Sequence, residues 1–136
     1  ARQRLLPHMS EGNRAKTGAA PLVAILAADV DFHENLPEVF PHAPGMRDAL
    51  EPAADQRESM ARLSAGLQIG YFIVGVRAAG LDAGPMTGFD AAGIDKEFFD
   101  GTGLRSLIVL NIGHPAQDAY RDRLPRLDAS RVVTVA

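Results

Sequence analysis

The sequence predicts an α+β domain in which a sheet packs against helices, and three observations predict it. Residues 21–28 form an unbroken apolar run rich in branched side chains, and residues 107–110 form a second. Between them, residues 55–79 read as one long helix whose apolar character spreads around it beyond Leu67. A chain of 136 residues holds one core rather than two, so a single domain over 1–136 is expected. Its 46% apolar and 23% charged residues are the composition of a folded globular chain.

Taken in order, Leu6-Pro7 places a proline where a short helix can begin, and Gly12-Asn13 is its expected stop. Residues 21–28 suit a central strand covered on both faces, since no polar residue alternates within the run. Four prolines between 29 and 52 break regular structure, which predicts a loop excursion with one helical turn. On the long helix Met60, Leu63, Leu67, Gly70, Tyr71, Val74 and Ala78 share a face, and Ile69, Phe72, Ile73 and Val76 widen it. Its second half is therefore expected to be buried nearly all round, with Gly66, Gly70 and Gly75 admitting a close neighbour and Gly80 as the cap. Residues 81–89 read as a glycine-rich turn. Asp90 then caps a short helix carrying Ile94 and Phe98 on one side, which ends at Gly101 and Gly103. The second strand lies within 104–113; in the mixed-charge remainder, 115–136, only 132–135 has strand character. Two strands are too few to cover such a helix, so more are expected from another segment or from a partner subunit.

Fourteen basic against 17 acidic residues give a net charge of -3, which supplies no field for nucleic acid or anionic lipid; neither partner is expected. The opening six residues lack the apolar core of a signal peptide. Residues 67–76, the most apolar stretch, reach about half of the roughly 20 residues that a membrane-spanning helix needs, so no membrane association is expected. With no cysteine there is no disulfide, thiolate nucleophile or cysteine-ligated zinc, and the cytoplasm is the default compartment.

His8, His33, His42 and His114 form no HxxxH pair, so no metal site is expected. Asp29, Asp31, His33 and Glu34 make the one dense ligand-like cluster, read as a solvated loop in preference to an ion site. The serines sit in no GxSxG or SxxK motif, and neither GxGxxG nor GxxxxGK[ST] occurs, so no catalytic side chain is nominated. What remains is Gly-Pro-Met-Thr-Gly-Phe-Asp at 84–90. There Gly88 permits close backbone approach, and the Thr87 and Gly88 N–H groups can be presented to a ligand. A plain connecting turn is the competing reading.

The longer stretch Gly-Leu-Asp-Ala-Gly-Pro-Met-Thr-Gly-Phe-Asp at 80–90 resembles the segment that lies along the isoalloxazine ring in nitroreductase-family flavoproteins, in particular the malonic semialdehyde reductase-like branch. Further matching stretches stand in the family's order at 12–17, 36–42, 68–71, 111–113 and 123–127. The resemblance implies a nitroreductase-like sheet flanked by helices, corresponding to the C-terminal two thirds of a member and so incomplete at the N-terminus. It implies bound FMN, with NAD(P)H as co-substrate, the backbone of Pro85, Met86, Thr87 and Gly88 at the flavin ring, and Arg123, assisted by Arg121, on the FMN phosphate. The implied reaction is ping-pong hydride transfer to a small acceptor: an aldehyde such as malonic semialdehyde, a quinone or a nitroaromatic. A homodimer is implied too, with 115–136 as a domain-swapped extension reaching the partner. For Arg123 the bland alternative is a surface ion pair with Asp122 or Asp128. For the chain as a whole the alternatives are a non-catalytic dimerisation or interaction module and a small regulatory α/β domain unrelated to flavin.

Overall fold

Residues 1–117, 119–120 and 122–135 are described in this structure, a computed structural model of the chain. Their helices are α1 (Arg2–Leu5), α2 (Glu11–Ala19), α3 (Leu36–Val39), α4 (Met46–Leu50), α5 (Ala54–Ala78) and α6 (Ala91–Phe98). The strands are β1 (Leu22–Asp29), β2 (Asp82–Met86) and β3 (Leu104–Gly113), joined antiparallel in the order β1-β3-β2.

The central strand is β3, and not the run at 21–28, which lies at an edge of the sheet although its side chains pack on both faces, Val23 and Ile25 on one and Ala24 and Leu26 on the other. Alternate β3 side chains feed two cores. Val109 packs with Leu5, Met9, Met86 and Ile94 on one face, while Leu110 and Ile112 pack with Val76 of α5 on the other. The fold is a three-layer arrangement, with α5 on one side of the sheet and the N-terminal helices with α6 on the opposite side. A register shift between Leu26 and Ala27 bends β1 as it follows β3.

Most of the stretch expected to be a turn at 81–89 is strand β2, which pairs Asp82 with Gly113 and Met86 with Val109. Gly84-Pro85 looked like turn punctuation, but an edge strand tolerates a residue without an N–H. This third strand supplies part of the sheet that two strands could not.

Near the N-terminus, Pro7 opens only a 3-10 turn, Leu6–His8, and Met9 then turns extended. A new helix, α2, starts after Ser10 and runs through the expected stop at Gly12-Asn13 to Ala19. Between 29 and 52 the chain is more helical than its prolines suggest: a 3-10 turn at Phe32–Asn35 leads into α3, which accepts Pro37 in its first turn, and α4 follows. The expected cap at Asp90 forms, its carboxylate accepting the Gly93 N–H at 3.1 Å. Gly80 ends α5 at φ 79°, with Gly80 N–H bonded to Arg77 O and Leu81 N–H to Val76 O in a Schellman closure. At 132–135 there is no strand; these residues follow a 3-10 turn at Ala129–Arg131 and are exposed.

The long helix forms over the expected span but turns its other face to the sheet. Ala61, Ile69 and Val76 are buried, with Arg57, Ala65 and Ile73 half-buried along the same stripe. Leu63, Leu67 and Tyr71, expected inside, are 69%, 63% and 81% exposed. Small side chains let the helix close onto the strands, and hydrophobicity alone does not say which of two apolar faces does so. Nothing lies within 4 Å of where a Cβ on Gly66, Gly70 or Gly75 would stand, so the close neighbour expected there is not another part of the described chain. No helix among the described residues is long and apolar enough to cross a membrane.

Leu110 has no exposed surface. Leu110→Ala is expected to lower unfolding free energy by about 2–5 kcal/mol, through lost transfer energy plus a cavity under α5. Urea denaturation measures it, and a loss below about 0.5 kcal/mol, the level of a surface change, would contradict the two-sided packing of β3.

Candidate functional site

The stretch 85–88 ends β2 and turns towards α6. Pro85 and Thr87 are exposed, Gly88 is half-buried, and the Met86 side chain is buried in the core, so Met86 can offer a ligand only its backbone. The sulfur of Met86 receives the Thr17 hydroxyl at 3.7 Å and the Asn111 amide at 4.0 Å. Past it, the Gly88 carbonyl accepts the Ser10 N–H at 3.0 Å and Asn13 Nδ2 at 2.9 Å. Met9 and Phe89 form an isolated antiparallel bridge, and the Asp90 N–H donates to His8 O at 2.8 Å. Because β2 is an edge strand, its outer side has no strand partner among the described residues.

Where β2 begins, a cavity of about 530 Å³ opens between α2, the start of β2, the end of β3, and residues 114–116, 119 and 120. Lys16, Gly84, Asn111 and His114 line it, as do Arg77 and Tyr120, both of which pair with Asp82. Asn111 has a buried Oδ1 with no hydrogen-bond partner. A buried amide oxygen left unpaired costs about 1–3 kcal/mol, so its place in a cavity wall marks a position able to receive a donor. Sequence reasoning assigned no role to Lys16, Asn13 or Asn111; the only signal for them was their position inside the matching stretches 12–17 and 111–113.

Of the two arginines nominated for a phosphate, only Arg123 is among the described residues. Arg123 is exposed in the tail and shares no hydrogen bond or ion pair with Pro85, Met86, Thr87 or Gly88 among the described residues. Nor does it pair with Asp122 or Asp128. Asp128 instead caps the turn at Ala129–Arg131, accepting the Ser130 N–H at 2.9 Å and its hydroxyl at 2.6 Å, which holds its carboxyl below the usual carboxylate range. Arg121 lies outside the described residues.

The acidic cluster divides. Asp29 accepts the Asp31 N–H at 2.9 Å, and Asp31 packs against Gly103. His33 and Glu34 join Glu51, all within 4.8 Å of one another. His33 is buried, with Nε2 3.0 Å from a Glu51 oxygen, and Arg47 forks onto both oxygens of Glu34 at 2.8 and 3.1 Å. A guanidinium already occupies the charge position that a cation would take, so the group is built as a latch tying the 32–51 excursion together. Of the other histidines, His8 lies 4.0 Å from Asp90 and His42 packs against Phe40, with ring centroids 3.9 Å apart and the rings tilted by 53°.

Comparison with known proteins places this geometry in a family. No family model matches the chain. A protein of Streptomyces coelicolor named as an NADH dehydrogenase/NAD(P)H nitroreductase is 59% identical over 134 residues, covering 98% of this chain and 68% of its own length. One of the same name from Leptothrix cholodnii is 56% identical over 128 residues, covering 94% of this chain and 65% of its own. Among solved structures, a nitroreductase from Bacillus subtilis superposes with a TM-score of 0.82 at 16% identity, covering 99% of this chain and 72% of that one. A nitroreductase from Exiguobacterium sibiricum in complex with FMN gives 0.79 at 20% identity, covering 99% and 71%. At those identities the superpositions establish the α+β nitroreductase fold, and the sequence relatives establish membership. The chain belongs to the nitroreductase family, and it spans about two thirds of the length of the curated relatives it matches.

The fork of Arg47 onto Glu34, reinforced by the charges of Arg47, His33 and Arg57, holds the Glu34 carboxyl below its ordinary range. A lowered carboxyl pKa contributes stability above the ordinary carboxylate pKa, and that contribution fades as pH falls through the lowered value. Arg47→Gln is expected to raise the Glu34 titration midpoint in a carboxyl NMR titration. An unmoved midpoint would refute the latch.

Proposed function

We propose that the protein is an FMN-dependent oxidoreductase that draws hydride from NAD(P)H and passes it to a small acceptor: an aldehyde such as malonic semialdehyde, a quinone or a nitroaromatic. One observation carries this reading. The stretch at 80–90 that resembles the flavin-lining segment spans edge strand β2, and the cavity holding Lys16 and the unpaired Asn111 oxygen opens at that strand's start.

FMN, when bound, supplies hydride acceptance from the nicotinamide and hydride donation to the acceptor, in two half-reactions. The chain's own part is to bind and orient. Backbone N–H groups of Thr87 and Gly88 offer donors to a ring edge, and the buried Met86 side chain fixes the strand that carries them. The Lys16 ammonium, with Arg121 and Arg123 by resemblance, offsets phosphate charge at the cavity. Asn111 gives its free oxygen to a ligand donor. None of these roles needs a nucleophile or a metal ligand.

We assign the functional unit as a homodimer. Met60, Leu63, Leu67, Tyr71 and Val74 form an exposed apolar stripe on α5, flattened by Gly66 and Gly70, and a second copy of the same helix complements it. Residues 115–136 extend this contact as a swapped arm. Tyr120 anchors the arm to Asp82, and beyond it Leu124, Leu127, Val132, Val133 and Val135 are exposed.

Titration with FMN tests the cofactor reading through quenching of flavin fluorescence. Lys16→Met is expected to weaken FMN binding about tenfold, the scale of one charge-assisted contact, while leaving riboflavin binding unchanged. A colourless protein that takes up no added FMN would sink the proposal. Sedimentation tests the assembly: a dimer is expected, dissociated by Leu67→Asp, and a monomeric parent chain at micromolar concentration would refute it.

A further inference from the structure

The turn at 87–90 does not hold its shape alone. Its backbone is zipped to the chain at 8–10: Ser10 N–H to Gly88 O, Asp90 N–H to His8 O, and the Met9–Phe89 bridge. Side chains of α2 join that zipper: Arg14 Nε donates to Met9 O at 2.9 Å, and Asn13 Nδ2 donates to the same Gly88 carbonyl at 2.9 Å. Two donors on one carbonyl fix the plane of the peptide joining Gly88 to Phe89, and the Phe89 N–H donates to Thr87 O at 3.0 Å, which ties in the peptide that carries the Gly88 N–H.

Space around Gly88 is set by the same group. A Cβ there would stand 2.7 Å from Asn13 Nδ2 and 3.2 Å from Ser10 Oγ. Real Cβ contacts do not close to 2.7 Å, so a side chain at 88 would push the Asn13 amide off its bond. φ at Gly88 is not positive, so the glycine serves the close approach of Asn13 and not a left-handed backbone.

We propose that Asn13 is a positioning residue: by clamping the Gly88 carbonyl it orients the Gly88 N–H, next to the Thr87 N–H that follows β2, before any cofactor arrives. The inference rests on the flavin reading only for what those N–H groups face. The clamp itself is a property of the flavin-free chain, and it lowers the cost of binding because the donors are already aligned.

The experiment has two arms, both on the full chain. Hydrogen exchange on the flavin-free protein is expected to show Phe89 and Asp90 exchanging about tenfold faster in Asn13→Ala and in Asn13→Asp, with Ile112 in β3 unchanged. Asn13→Asp keeps the size of the side chain and loses the donor, so it separates loss of the bond from loss of packing. FMN titration of Asn13→Ala, Gly88→Ala and the double variant is expected to give about tenfold weaker binding in each single variant and no further loss in the double, because both act through one contact. Unchanged exchange in both Asn13 variants overturns the clamp, as do additive losses in the double variant. If the parent chain binds no FMN the flavin reading fails, and the exchange arm alone then decides the clamp.

Discussion

Strand β3 is the constraint on which the other elements depend. It pairs on both edges, and its side chains fill both cores, so the positions of β1, β2, α5 and α6 are all defined relative to it. Asp95 ties α6 to it directly, accepting the Ser106 N–H at 2.8 Å. Strand β2 is held on one side by this pairing, and its other side, where the proposed ligand would lie, has no strand partner among the described residues. The site is thus a by-product of strand order: a central β2 would have no edge to offer.

Two polar groups in the structure answer different physical demands. Around His33, Glu34, Glu51 and Arg47 charges neutralise one another, and the result is a closed latch in a proline-broken excursion. Beside β2 the polar groups are incompletely paired, with Asn111 Oδ1 buried and unpartnered and Lys16 at the rim of a cavity. Each cluster keeps a buried unpaired atom, His33 Nδ1 in the first and Asn111 Oδ1 in the second; what separates them is that the charges of the first neutralise one another, while Asn111 lines a cavity with Lys16 beside it.

Legibility in the sequence followed the kind of signal each element carries. The strand at 104–113, the span of α5, the Asp90 cap and the glycine ending α5 were readable because apolar runs, long periodicity and capping residues act locally. β2 was misread because Gly84-Pro85 has a local preference for turns that an edge position overrides. The facing of α5 was misread because both its faces are apolar, and only the sheet decides between Leu67 and Ile69. The run at 21–28 was placed centrally for want of a cue to strand order. At the candidate site the 85–88 backbone was named from the sequence, whereas Asn13, Lys16 and Asn111 became visible only when the fold brought α2 beside β2 and β3.

The strand order also sets a timetable. Leu22 finds its partner in Ile112, roughly ninety residues later, and β2 likewise waits for β3, so no pair in this sheet can form until translation has passed the final strand. Until then β1 and the apolar flank of α5 leave the ribosome without their sheet partners, the kind of exposure that makes a sheet built from distant segments slow to form and prone to aggregate.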